Sequence, residues 1–171
     1  KSNIQFSRMR EMPDGNLTAI TMPFTGTFDG GNIITINTND FADNNRPIWT
    51  LNGIAGPAQA SATINNITND GSISLSGRYR SAFPLWDGTN RILTSKSTCQ
   101  IEVGGIDRPC IQPWITDPTA QEVSPPYSLW LYDPADTTEK VVVRAETGMV
   151  ITEGAVLQSR NLPNIIRDND A

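Results

Sequence analysis

Gly77-Arg-Tyr-Arg-Ser-Ala-Phe-Pro-Leu-Trp-Asp-Gly-Thr-Asn-Arg-Ile-Leu-Thr-Ser-Lys-Ser-Thr-Cys99 is the stretch that decides the fold class. Arg78 to Leu85 and Arg91 to Ser97 are runs of β-formers. Between them Asp87-Gly88 supplies a turn, because Asp and Gly tolerate backbone conformations that other residues resist. The reading is a β-hairpin whose second strand runs straight into a cysteine.

The second cysteine, Cys110, lies eleven positions on. Gly104-Gly105 sits between them and is itself a hairpin turn candidate, so the two thiols can face each other across short strands. A disulfide is the expected pairing, with folding in an oxidising compartment as its corollary; two buried free thiols are the alternative.

Working outward, Ile4 to Arg10, Asn16 to Phe24 and Asn32 to Asn37 read as three strands of one antiparallel meander, with Pro13-Asp14-Gly15 as the first turn. Pro47 to Leu51, around Trp49, reads as a further short strand. Thr38 to Asn45 is dense in Asn and Asp. Oxygen ligands for calcium are one reading, but the spacing of an EF-hand is missing and such residues cap turns. Gly53 to Ala62 is a small-residue connection without the Gly-Lys-Ser/Thr ending of a phosphate loop. Ile64, Ile67, Ile73 and Leu75 are expected to anchor the segment from Thr63 to Leu75, with a turn at Asn69-Asp70-Gly71. Tyr127 to Asp133 alternates cleanly and pairs with Lys140 to Ala145. Gly148 to Ile151 and Ala155 to Leu157 are expected to open a further unit. The tail 161–171 is polar.

Bulk composition agrees with an all-β chain. Of 171 residues, 37% are hydrophobic, and 13 Gly and 12 Pro supply turns. No window keeps the apolar spacing of an amphipathic helix. The net charge is −5 and no Lys/Arg cluster exists, so the footprint for nucleic acid is missing. No apolar run approaches the roughly 20 residues of a membrane span. Histidine is absent, which removes Ser-His-Asp and Cys-His nucleophiles, His-ligated zinc and the Cys-x-x-Cys-His haem attachment from this chain. The sequence opens at Lys1 without Met and reads as mature, trimmed or cut from something longer.

Turn, strand, aromatic and Gly-containing loop, strand: this order recurs from 13 to 37 and from 76 to 97. Repeated four-stranded meanders are the pattern of β-propeller blades. The expected architecture is therefore a single all-β unit over 1–171. It comprises two to three decorated blades of a partial propeller, with approximate bounds 1–62, 63–133 and 134–160.

Glu11-Met-Pro-Asp-Gly15, Gly56-Pro-Ala-Gln59, the run Ser76 to Ser95 closely followed by Cys99, and Tyr127-Ser-Leu-Trp-Leu-Tyr-Asp133 carry a resemblance. They resemble the TolB-like propeller repeat, and more specifically the propeller-type middle domain of hydrazine synthase alpha subunit-like proteins, over most of residues 4 to 160. The resemblance implies a propeller fold, a bacterial origin and an exported location. In that family the chemistry belongs to c-type haems in flanking domains, so it places no catalytic residue and no cofactor on this chain.

Three groups of residues are candidate sites. Trp86, Asp87, Asn90 and Arg91 cluster at one turn, as a binding patch or simply as a hairpin held by its own side chains. Trp114 and Trp130, with Tyr127, Tyr132 and neighbouring prolines, suit carbohydrate or peptide binding, or else packing between blades. Asp14, Asp29, Asp87, Asp107, Asp117, Asp133 and Glu153 offer a glycosidase pair in principle, although most sit in turns that already explain them.

The function expected is a non-enzymatic exported module, without cofactor or metal, acting as a scaffold and protein-interaction surface. Its partners would be other segments of a parent protein or copies of itself, in the periplasm or outside the cell, with no nucleic acid and no membrane insertion. A non-catalytic part of a larger multihaem redox enzyme is the first alternative; a carbohydrate-binding propeller is the second.

Overall fold

A computed structural model describes residues 3–26, 28–48, 54–124 and 126–159. The centre of the strand expected over Pro47 to Leu51 and the tail 161–171 lie outside the described residues.

The first sheet is the expected meander and one strand more. Strands β1 (Ile4–Glu11), β2 (Leu17–Pro23) and β3 (Asn32–Ile36) pair in sequence. A two-stranded excursion, β4 (Phe41–Asp43) with β5 (Arg46–Pro47), follows. Then β6 (Gln59–Ser61) joins β3 at the far edge, giving the order β1-β2-β3-β6. Ser7 pairs with Ile20 but Arg10 with Thr18, so β1 carries a bulge, and Arg8 takes the left-handed φ of 51° inside it.

The second sheet is again a four-stranded antiparallel meander, with its excursion after the second strand instead of the third. Strands β7 (Arg78–Pro84) and β8 (Ile92–Ser97) are the hairpin read from the sequence. A larger excursion follows: β9 (Gln100–Val103), β10 (Ile106–Pro109), a single 3-10 turn at Trp114–Thr116, and β11 (Gln121–Glu122), with sheet order β10-β9-β11. Strands β12 (Ser128–Asp133) and β13 (Thr138–Val143) complete the order β13-β12-β8-β7. Both four-stranded sheets are antiparallel and open, and no α-helix occurs among the described residues.

The strand after Asp133 thus belongs to the second sheet. No strand forms after it among the described residues, although 148–151 and 155–157 were expected to open a further unit. Instead the chain lies extended over the sheet. The Ile151 N–H donates to Tyr127 O at 2.8 Å, and Ser95 Oγ donates to Ile151 O at 2.5 Å. Gly154 faces the methyls of Leu93 and Leu129, where a Cβ would come within 3.0 Å of both side chains. Gln158 closes this strap by accepting the Trp86 N–H at 2.9 Å.

All six positions of β8 are buried because both of its faces are covered. On one face Tyr79, Ala82 and Ile92 meet Ile20, Ile33 and Ile67, which joins the two sheets. On the other, Phe83, Leu85 and Leu93 pack with Leu129, Leu131 and strap residue Val156. Each fully buried aliphatic side chain contributes about 1.5–3 kcal/mol. Of the four anchors expected between 63 and 75, Ile67 is buried, but Ile64 and Leu75 are 69% and 66% exposed. That segment has no strand partner to impose an inward face.

One local device closes turn after turn. At Asp14, Asp70, Asp87, Asp117 and Asp136 the carboxylate accepts the N–H of the residue two positions on, and also a hydroxyl or amide of that side chain. These bonds hold the carboxyls of Asp70, Asp87, Asp117 and Asp136 below their ordinary range.

Candidate functional site

The turn after β7 is wider than Asp87-Gly88 alone. The Leu85 N–H donates to Arg91 O at 2.8 Å, leaving a five-residue loop from Trp86 to Asn90. Gly88 and Asn90 supply the positive φ values, 80° and 58°. Asp87 accepts from the Thr89 hydroxyl and from Arg91 Nη2 at 2.8 Å, and these bonds hold its pKa down to about 2. Asp87 and Arg91 are bonded to each other and spend these polar groups on shaping the loop, to which Asn90 contributes its left-handed backbone. Trp86 is half-buried beside the strap.

Trp130 lies in a strand of the second sheet and Trp114 in the 3-10 turn of the excursion. Trp130 is central in β12, opposite Thr94 and Val141, with Lys96 Nζ 5.7 Å from its ring centre. Its indole Nε1 is enclosed without a hydrogen-bond partner. Trp114 begins the 3-10 turn of the excursion, and the Arg108 guanidinium lies over its ring at 4.4 Å. Both rings thus already carry a cation. Tyr127 is 1% exposed, under Arg80 and against Phe28 O; burial pushes its phenol up to about 12.

The excursion is stapled as expected. Gly104 and Gly105, at φ 62° and 76°, form the two-residue turn between Val103 and Ile106, and Cys99 and Cys110 are disulfide-bonded with Cα atoms 5.6 Å apart. The acids are dispersed. Asp29 pairs with Arg80 at 3.1 Å, Glu153 with Arg10, Asp133 caps the Ala135 N–H, and the rest of the bonded ones lie in turns. Among the described residues no three Cys, Asp or Glu side chains converge to hold a metal ion.

Two charged clusters were not anticipated. Arg78, fully buried, grips Glu122 with two prongs, and its remaining N–H groups donate to Thr68 O and Ser72 O. Between the sheets, Glu139 accepts from both Tyr79 and Lys96, while Asn65 Nδ2 donates to the Tyr79 hydroxyl at 2.6 Å. Burial drives the Tyr79 phenol upward. The available signal was the presence of Arg78 and Lys96 inside β-prone runs, where a buried charge demands a partner.

Open space collects elsewhere, along the seam between the loop after β2 and the turn at 69–73. One cleft of about 600 Å³ is lined by Gly26, Phe28, Gly71, Ser72, Ile73 and Glu122, among others. A second of about 580 Å³ adjoins Pro23, Phe24, Thr25, Asn69 and Asp70.

No family model, curated protein or solved structure matches this chain.

Proposed function

We propose that this chain is a non-enzymatic, exported β-propeller-type module that serves as a scaffold and protein-interaction surface, assembling with copies of itself. The observation that supports the reading most is the repeated plan: two successive four-stranded antiparallel meanders, joined through one core, each decorated by an excursion. Successive decorated meanders are what the TolB-like resemblance implies. The disulfide supports export, since such bonds persist in oxidising compartments.

The assembly surface is the pair of outer strands. Among the described residues, β1 from Gln5 onward and β13 each have a strand neighbour on one side only. Phe6, Met9, Val142 and Val143 on these strands are 48%, 59%, 54% and 47% exposed. A strand edge flanked by exposed apolar side chains recruits another strand. The bulge at Arg8 and the charge of Lys140 blunt both edges and restrict what can pair there.

Light scattering with negative-stain imaging tests this. The expected result is a concentration-dependent oligomer that Val142→Lys with Val143→Lys disperses. A chain that stays monomeric at every concentration overturns it.

A further inference from the structure

The two clefts follow one another along a single seam. Residues 24 and 25 stand beside 69 and 70, and residues 26 and 28 beside 71 to 73. Each cleft has the volume of an ordinary ligand site. Phe24 and Phe28, 64% and 43% exposed, stand along it. Among the described residues nothing lies within 4 Å of a Cβ added at Gly26 or Gly71, whose φ values are 88° and 87°.

Charge narrows the occupant. Among the described residues no Lys or Arg lines either cleft, so an anionic ligand finds no counter-charge there. Glu122 is committed to Arg78, and Asp70 turns its carboxylate onto Ser72. What is left is two aromatic side chains, with the amides of Asn3 and Gln121 and the Thr25 hydroxyl. Aromatic faces stack on the C–H surface of a sugar ring, while amides and hydroxyls bond its hydroxyls. An elongated seam suits a chain of rings. The tryptophans that looked like sugar platforms are covered by cations, whereas these phenylalanines are open.

We propose that the seam lined by Phe24, Thr25, Gly26 and Phe28 on one side and by residues 69–73 on the other binds a neutral oligosaccharide. This goes beyond the assembly role and does not depend on it.

The test is an amide NMR titration of the full chain with cellohexaose, chitohexaose and maltohexaose at millimolar concentration. The expected result is that at least one of them shifts the signals of Phe24, Thr25, Gly26 and Phe28 and of residues 69–73. Phe24→Ala and Phe28→Ala should each weaken that binding about tenfold at unchanged melting temperature, while Trp114→Ala leaves it intact. Absence of shifts with all three sugars, shifts centred on Trp86 or Trp114, or binding that survives the double Phe24→Ala/Phe28→Ala change would overturn it. Shifts along the seam produced by a proline-rich peptide and by none of the sugars would do the same.

Discussion

Arg78 and Glu122, 44 positions apart, meet as a two-pronged ion pair: Nε to Oε1 and Nη2 to Oε2, both at 2.8 Å, with the arginine side chain wholly removed from solvent and the glutamate only 10% exposed. The pair ties the start of β7 to the end of the excursion, and through Thr68 O and Ser72 O it also ties down the preceding turn. Removing one partner leaves the other buried and uncompensated. Glu122→Gln or Arg78→Ala is expected to lower stability by about 3–5 kcal/mol in urea denaturation. Arg78→Lys should not restore it, because a point charge cannot reproduce the planar fork. A loss within experimental error of zero would show that the pair is not structural.

The disulfide between Cys99 and Cys110 closes a short loop. Reduction is expected to cost about 2–3 kcal/mol, chiefly by freeing the unfolded chain. Intact mass should be unchanged by thiol alkylation without reductant; two added labels would refute the bond.

Stability should fall at both pH extremes. Asp70, Asp87, Asp117 and Asp136 have folded pKa values below their ordinary 3.8, with Asp87 at about 2. Their contribution is present above pH 4 and drains as pH falls toward 2. Tyr127 moves the other way, from 10.0 to about 12. Its contribution is complete below pH 10 and is lost as pH rises toward 12. Thermal melting against pH, with phenolate absorbance on the alkaline side, checks both arms. A flat acid arm in the wild type, or an unchanged one after Asp87→Asn, would contradict the assignment for that turn.

Trp130→Phe is expected to be nearly neutral, since it deletes an enclosed N–H that has no partner. Lys96→Met is the contrasting change. It strips the ammonium from Glu139, which is held in the same enclosed cluster, and should destabilise by about 3–5 kcal/mol. If Trp130→Phe proves the more damaging of the two in the same denaturant series, the ring nitrogen has an unrecognised role.

Much of the fold was legible where one strand follows another. The hairpin from Arg78 to Ser97, the first three strands, the Gly104-Gly105 turn and the Tyr127 hairpin all announce themselves by β-formers and turn residues within a short span. The five-residue loop after Leu85 was not legible, because Thr89 and Arg91 share Asp87 and hold open what Asp-Gly alone would tighten. The pairing of β11 with β9 and the grip of Arg78 on Glu122 depend on contacts that no local pattern encodes. The strap was read as the opening of a further unit, whereas only Val156 of its apolar side chains packs onto the sheet and Leu157 stays fully exposed. Of the candidate residues in the Trp86 loop, Asp87 and Arg91 are joined by an ion pair. The seam at Phe24 and Phe28 was invisible because it joins two loops about 45 positions apart in the sequence.

The strap from Ile151 to Gln158 is the last described part of the chain to be synthesised, yet it covers Leu93 and Leu129, which emerge much earlier. During translation the second sheet can form with that apolar face still bare. The nascent protein therefore passes through an interval in which a completed sheet is adhesive and its own cover does not yet exist. Chaperone dependence should concentrate in that interval and end abruptly once residue 158 has cleared the ribosome.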